Sequence, residues 1–186
     1  MFDKKAIAET FDEADNFNDR RAIVYARNAC FKIAKELGIT YFIQLDDDYT
    51  AFRFTANEKQ EYITQNTGIK NINSLFKAML NFYKSTNIKS MNSFICSTER
   101  PFQFIGRINE DVSNYTYNAS KGQLFFTTAL LRLEQKQTQS NSGGMTDIYL
   151  DNGTYIKSFY SVIFSPSSVS ISLMGNKDMR LHHRVS

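Results

Sequence analysis

Tryptophan is absent from this sequence, and 186 residues contain only two prolines and two cysteines. So little proline excludes a proline-rich linker. Two distant cysteines, Cys30 and Cys96, exclude a disulfide scaffold and form neither a CxxC nor a Cys/His cluster. They read as buried thiols of a reducing, intracellular setting. No apolar run approaches the roughly 20 residues of a membrane span, and the charged N-terminus lacks a signal-peptide core. The net charge is only +3, which neither argues for a nucleic-acid partner nor excludes one. A local basic patch around Arg20, Arg21 and Arg27 remains open.

What is present is core-forming material. Hydrophobic residues make up 42% and aromatics 14%, which places the chain with folded proteins of about one domain in length. Asp19 precedes a run in which Ile23, Ala26, Cys30, Ile33 or Ala34, and Leu37 recur at helical spacing, and Gly38 follows as a stop signal. This predicts a helix over 20–37 with Arg27 and Asn28 near its middle. The apolar run Tyr41–Leu45 predicts a buried strand, with Asp46-Asp47-Asp48 directly at its carboxyl end. Helix, glycine, strand and acidic loop in that order suggest an α/β unit, whose ligands bind beyond the strand ends.

Further on, Ala51–Phe54 reads as a possible strand and 56–71 as a polar loop. Ile72, Leu75, Phe76, Met79, Leu80 and Tyr83 predict an amphipathic helix. Leu124–Thr128 reads as a strand, 135–147 as a polar loop, and both 154–164 and 168–174 as strands separated by Pro166.

Three adjacent carboxylates repel one another, and a divalent cation neutralises them well. Mg²⁺ and Mn²⁺ prefer such hard oxygen ligands and share them with substrate phosphates. In an extended chain Asp46 and Asp48 face one way and Asp47 the other, so the first and third are the expected metal pair. A solvated acidic turn is the plainer alternative. Asn109-Glu110-Asp111 is a second acidic group, able to supply a general base or simply to start a helix. His182 and His183 are the only histidines, able to complete a metal shell or to lie in a polar tail. Gln139, Asn141, Gly143 and Gly144 belong to a polar segment that could line an acceptor or sugar site, or form a surface loop.

Taken in order, ARNACFKIAKELG, YFIQLDDDY, MNSF, RPFQFIGRINEDVSNY, TQSNSGGMTDIYLDNGTYIKSFYSVIFSPSSV and MGNKDMRLHHR resemble the TET-associated glycosyltransferases of bacteriophages and related genomes. The resemblance implies an α/β, GT-A type glycosyltransferase fold with a mixed central sheet flanked by helices. It implies one glycosyltransferase domain over 1–186, lacking part of the nucleotide-binding half, a glycine-containing stretch near 88–90 and the end of the fold. It implies transfer from a nucleoside diphosphate sugar to a hydroxylated base in DNA, such as 5-hydroxymethylcytosine in phage DNA, with Mn²⁺ or Mg²⁺ as cofactor.

Carried over residue by residue, Asp46 and Asp48 match the DxD metal motif, with Asp46 and Asp47 also toward the donor. Arg27 and Asn28 match the donor-side segment. Asp111, then Glu110, match the acidic motif that would hold the catalytic base. His182 or His183 matches the late metal ligand. Gln139, Asn141, Gly143 and Gly144 match the loop near acceptor and sugar. The expected setting is cytoplasmic, the host cytoplasm for a phage gene, with no membrane partner. A metal-dependent nuclease or nucleotidyltransferase would group carboxylates in the same way. A non-catalytic binding module with this fold is the other alternative.

Overall fold

This computed structural model describes residues 1–14, 17–59, 61–63, 68–86, 89–90, 94–127, 130–136, 145–175 and 179–186. The chain forms two compact units: residues 1–42, 96–123 and 141–186, and residues 43–95 and 124–140. Among the described residues no helix is long and apolar enough to cross a membrane.

The first unit begins with helix α1 (Lys4–Ala8), whose Asp3 cap accepts a hydrogen bond from the Lys5 amide at 2.8 Å. Helix α2 (Val24–Glu36) starts later than its spacing predicts. Asp19 does not cap it; the N-cap is Ile23, with no side-chain bond. The stop is as expected, since Gly38 takes φ +68° and donates to the Lys35 carbonyl at 3.1 Å. The buried side of α2 is not the predicted one. Val24, Tyr25, Arg27 and Ala29 are buried, while Ile23, Ile33 and Leu37 are exposed. A buried arginine on that side hides the stripe from any reading based on hydrophobicity.

Strand β1 (Tyr41–Gln44) pairs with β4 (Phe94–Ser97), and the boundary between the units falls within both strands. All four residues of β4 are buried. In the second unit, β2 (Tyr49–Phe54) pairs antiparallel with β6 (Leu131–Gln135), placing Arg53 opposite Arg132 and Phe52 opposite Leu133. Helix α3 (Ile72–Ser85) is capped by Asn71, whose side chain accepts from the Ser74 amide at 3.1 Å. Its predicted apolar positions are the less exposed ones, and Phe76 meets Phe52 edge-on at 5.7 Å. Short strands β3 (Lys89–Ser90) and β5 (Phe125–Phe126) pair in parallel. Only two residues of the predicted 124–128 strand pair in this way.

Back in the first unit, helix α4 (Glu110–Ser120) packs on α5 (Thr146–Phe164). Strands β7 (Val169–Met174) and β8 (Arg180–Val185) form an antiparallel pair beside α5. The strand predicted over 154–164 is therefore helix. Its residues mislead because the usual pattern is inverted: Tyr155, Phe159 and Ile163 are exposed, while Ser158, Ser161 and Ser165 are buried. Small serines let neighbouring elements approach, and aromatic, β-branched neighbours mimic strand composition. At Gly106 a close approach is mandatory. Its φ is +68°, and an added Cβ would lie 2.5 Å from Phe164 Cε2.

The architecture is mixed α/β. Among the described residues the strands pair two by two, rather than in the single mixed central sheet that the resemblance implies.

Candidate functional site

The acidic triplet lies in the turn between β1 and β2, in the second unit. Asp47 is exposed, while Asp46 and Asp48 are half-buried. Asp46 Oδ2 accepts from the Tyr49 hydroxyl at 3.3 Å. The Asp48 carbonyl accepts from the Lys136 amide at 2.9 Å, which ties the turn to the end of β6. Asp48 Oδ1 is buried and makes no hydrogen bond. A carboxylate oxygen shielded from water with no donor is costly, and a cation removes that cost. Nearby charges differ in this respect, since Glu134 receives Arg53 at 2.8 Å and Arg132 at 2.9 Å. These guanidiniums hold its carboxyl below the usual range.

Among the described residues, no three His, Cys, Asp or Glu side chains gather into a ready-made metal cluster. Mg²⁺-type sites do not require one, because one or two carboxylates often share the ion with substrate phosphates and water. The donor set of Asp46 and Asp48, with its open Oδ1, fits such a cation.

The other sequence-predicted residues lie in the first unit. Arg27 and Asn28, adjacent on α2, do different things. Arg27 Nε stands 3.1 Å from Glu110 Oε1, with both side chains largely buried, and its guanidinium lies over the Phe104 ring at 5.4 Å. Asn28 clasps the backbone of Phe104: its Nδ2 donates to the carbonyl at 3.0 Å and its Oδ1 accepts from the amide at 2.9 Å. These bonds fasten the segment before α4 to α2.

Asn109 takes a left-handed φ of 55°, which asparagine tolerates, and donates to Ser161 Oγ at 2.6 Å. This sets the first turn of α4 beside α5. Glu110 and Asp111 occupy that turn, where backbone amides favour negative charge. Asp111 Oδ1 accepts from the Val112 amide at 2.8 Å.

Asp111 is ringed by groups that spacing does not reveal. Burial, with the fields of Glu110 and Asp111, pushes the Tyr149 phenol well above its ordinary range. Burial and Asp111 likewise push up Tyr115. Both phenols keep their protons at neutral pH. Nothing marks them among ten tyrosines.

His182 and His183 are not in a disordered tail; they lie in β8, opposite Ser172 and Ile171. His182 Nδ1 is 2.8 Å from the His183 carbonyl oxygen, and its hydrogen-bonding role follows the tautomer. Burial depresses the His183 pKa, His182 and Lys157 depress it further, and Asp111 opposes them. The ring is thus held neutral, and its buried Nδ1 makes no hydrogen bond. Gln139, Asn141, Gly143 and Gly144 lie outside the described residues.

A second charged cluster fixes the approach to α2. Asp19 receives Arg21 Nε at 2.9 Å and Arg107 at 3.1 Å, and Arg21 reaches Asp147 at 2.7 Å. The Arg21 and Arg107 hydrogen bonds outweigh desolvation and lower the Asp19 pKa to about 2.

A family model described as TET-Associated Glycosyltransferase matches residues 2–144, more than half of the chain. Arg27, Asn28, the aspartate triplet, Glu110 and Asp111 fall within that span, and His182 and His183 fall beyond it. No curated protein and no solved structure matches.

Proposed function

The chain belongs to the TET-associated glycosyltransferase family, and we propose that it moves a sugar from a nucleoside diphosphate donor to a hydroxylated base in DNA, using Mn²⁺ or Mg²⁺. The buried, unpartnered Oδ1 of Asp48 carries the metal part of this reading. Asp46 and Asp48 would hold the ion, and Asp47, exposed in the same turn, faces outward toward a donor. Such a cation balances charge on a leaving diphosphate.

Asp111 is the base that an inverting transfer requires, taking the proton of the acceptor hydroxyl. Glu110 comes second because Arg27 already engages it. Tyr149 and Tyr115 keep their protons beside Asp111, so they leave the carboxylate as the proton acceptor of the group. The resemblance adds an imidazole ligand. His183 suits it better than His182, because it is held neutral and its Nδ1 is uncommitted. DNA as acceptor comes from the resemblance. A base in a duplex would have to leave the stack to reach a carboxylate of this kind.

Thermal-shift measurements with a panel of nucleotide sugars, with and without Mn²⁺ or Mg²⁺, test this reading. The expected result is stabilisation by one nucleotide sugar that requires the metal and disappears in Asp48→Asn. Stabilisation indifferent to chelator, or undiminished transfer by Asp48→Asn, overturns the metal assignment. His183→Ala should weaken Mn²⁺ binding, and unchanged affinity removes the imidazole from the shell.

A further inference from the structure

The first unit contains an open cleft of about 480 Å³, within the roughly 300–1,000 Å³ of small-molecule sites. It lies between the middle of α2, the segment 101–105 and the C-terminal end of α4. Asp111 and Lys121 are roughly 15 Å apart along the α4 axis at ~1.5 Å per residue. The cleft is therefore not the Asp111 locality.

Its chemistry differs from every charged cluster described above. Phe31, Phe102 and Ile105 supply an apolar floor, and amides and a phenol supply the polar groups. Among the described residues no carboxylate lines it, and Lys121 is its one charged group. That ammonium is already engaged, lying 3.8 Å from the Tyr117 ring centre and donating to the Tyr117 hydroxyl. Because the phenol oxygen accepts from Lys121, its own proton is left to donate outward. Gln103 spends its Nε2 on the Thr10 carbonyl at 2.6 Å, so the amide is fixed in orientation and its Oε1 is an acceptor.

We propose that this cleft is a second carbohydrate-binding site, taking a neutral hexose unit against Phe31 and Tyr117 with its hydroxyls on Gln103, Gln123 and the Tyr117 phenol. Hydroxyl groups both donate and accept, and so does this wall. Apolar C–H faces of a sugar suit an aromatic and aliphatic floor, and the scarcity of charge disfavours a phosphorylated ligand. The site needs no metal, and it goes beyond the transfer reaction, which it neither uses nor requires.

The test is NMR titration of the isotope-labelled protein with glucose, galactose and mannose, in the presence of chelator. One hexose should give saturable shifts at Phe31, Tyr117 and Gln123 that are the same at low and high salt. Gln123→Ala should weaken binding at least fivefold, and Tyr117→Phe, which keeps the ring, should weaken it through loss of the phenol. Asp48→Asn should bind as wild type, which separates this site from the donor reading. Absence of saturable shifts at the cleft overturns the proposal. So does unchanged affinity in both cleft variants when their melting curves match wild type. Competition by a mononucleotide, with affinity falling as salt rises, would make it a nucleotide cleft and equally overturn it.

Discussion

The two units treat buried charge differently. In the first, Glu110 meets Arg27 at 3.1 Å, and Asp19 meets both Arg21 and Arg107. Those negative charges are balanced by the chain itself. In the second, Glu134 is balanced in the same way, yet Asp48 keeps a buried oxygen with no donor. A paired carboxylate holds the fold together. An unpaired one is held in place at a cost, and a binding partner can remove that cost. The contrast separates residues that build a site from residues that await a ligand.

That contrast predicts opposite behaviour on substitution. Asp48→Asn should reduce transfer by more than ~100-fold, the range lost when a transition-state charge contact is removed. Its metal-free melting temperature should equal or exceed that of wild type. A fall in metal-free stability would place Asp48 with the structural charges. Arg27→Ala should do the reverse and destabilise by about 3–5 kcal/mol, because it leaves Glu110 buried and unpaired. Urea unfolding measures this, and the double variant with Glu110→Gln should recover part of the loss. Recovery of none would mean that Arg27 acts chiefly through its packing on Phe104.

Two smaller effects sharpen the picture within the first unit. Gly106→Ala should cost about 1–3 kcal/mol, from a left-handed backbone and the contact with Phe164, with Phe164→Leu relieving part of it. The Asp19 pKa is lowered from 3.8 to about 2. A folded-state pKa below the unfolded one gives stability that is present above the unfolded value and lost as pH falls through the folded one. Stability should therefore decline between about pH 4 and pH 2, modestly because the group is partly exposed. Asp19→Asn should flatten that part of the curve, and an unchanged curve would show that other carboxylates govern acid unfolding.

Legibility followed local chemistry. Helix α3 could be read because Ile72, Leu75, Phe76, Met79, Leu80 and Tyr83 keep helical period and the structure makes them its less exposed face. Gly38 could be read because a stop of positive φ has one favoured residue. The inner side of α2 could not, because a buried arginine satisfied by Glu110, far along the chain, counts as polar in any local pattern. Helix α5 could not, because its serines face inward and its aromatics outward. The candidate site divides in the same way. The aspartate triplet, Glu110 and Asp111 stand out as acidic runs, and the resemblance to the family reaches them. Tyr115, Tyr149 and Lys157 do not, since single residues of common types acquire meaning only from their neighbours.

The order of the motifs was enough to determine the family, and the spacing of apolar residues was enough to locate α3 and the strand leading to Asp46. Both are encoded within short stretches, where periodicity and residue type suffice. Only tertiary structure decided that Arg27 balances Glu110, that Asn28 clasps Phe104, that His183 is kept neutral in a strand, and that Asp48 retains an oxygen without a donor. Each depends on which distant groups arrive within hydrogen-bonding range and on how much water they exclude, and neither quantity is written in local sequence.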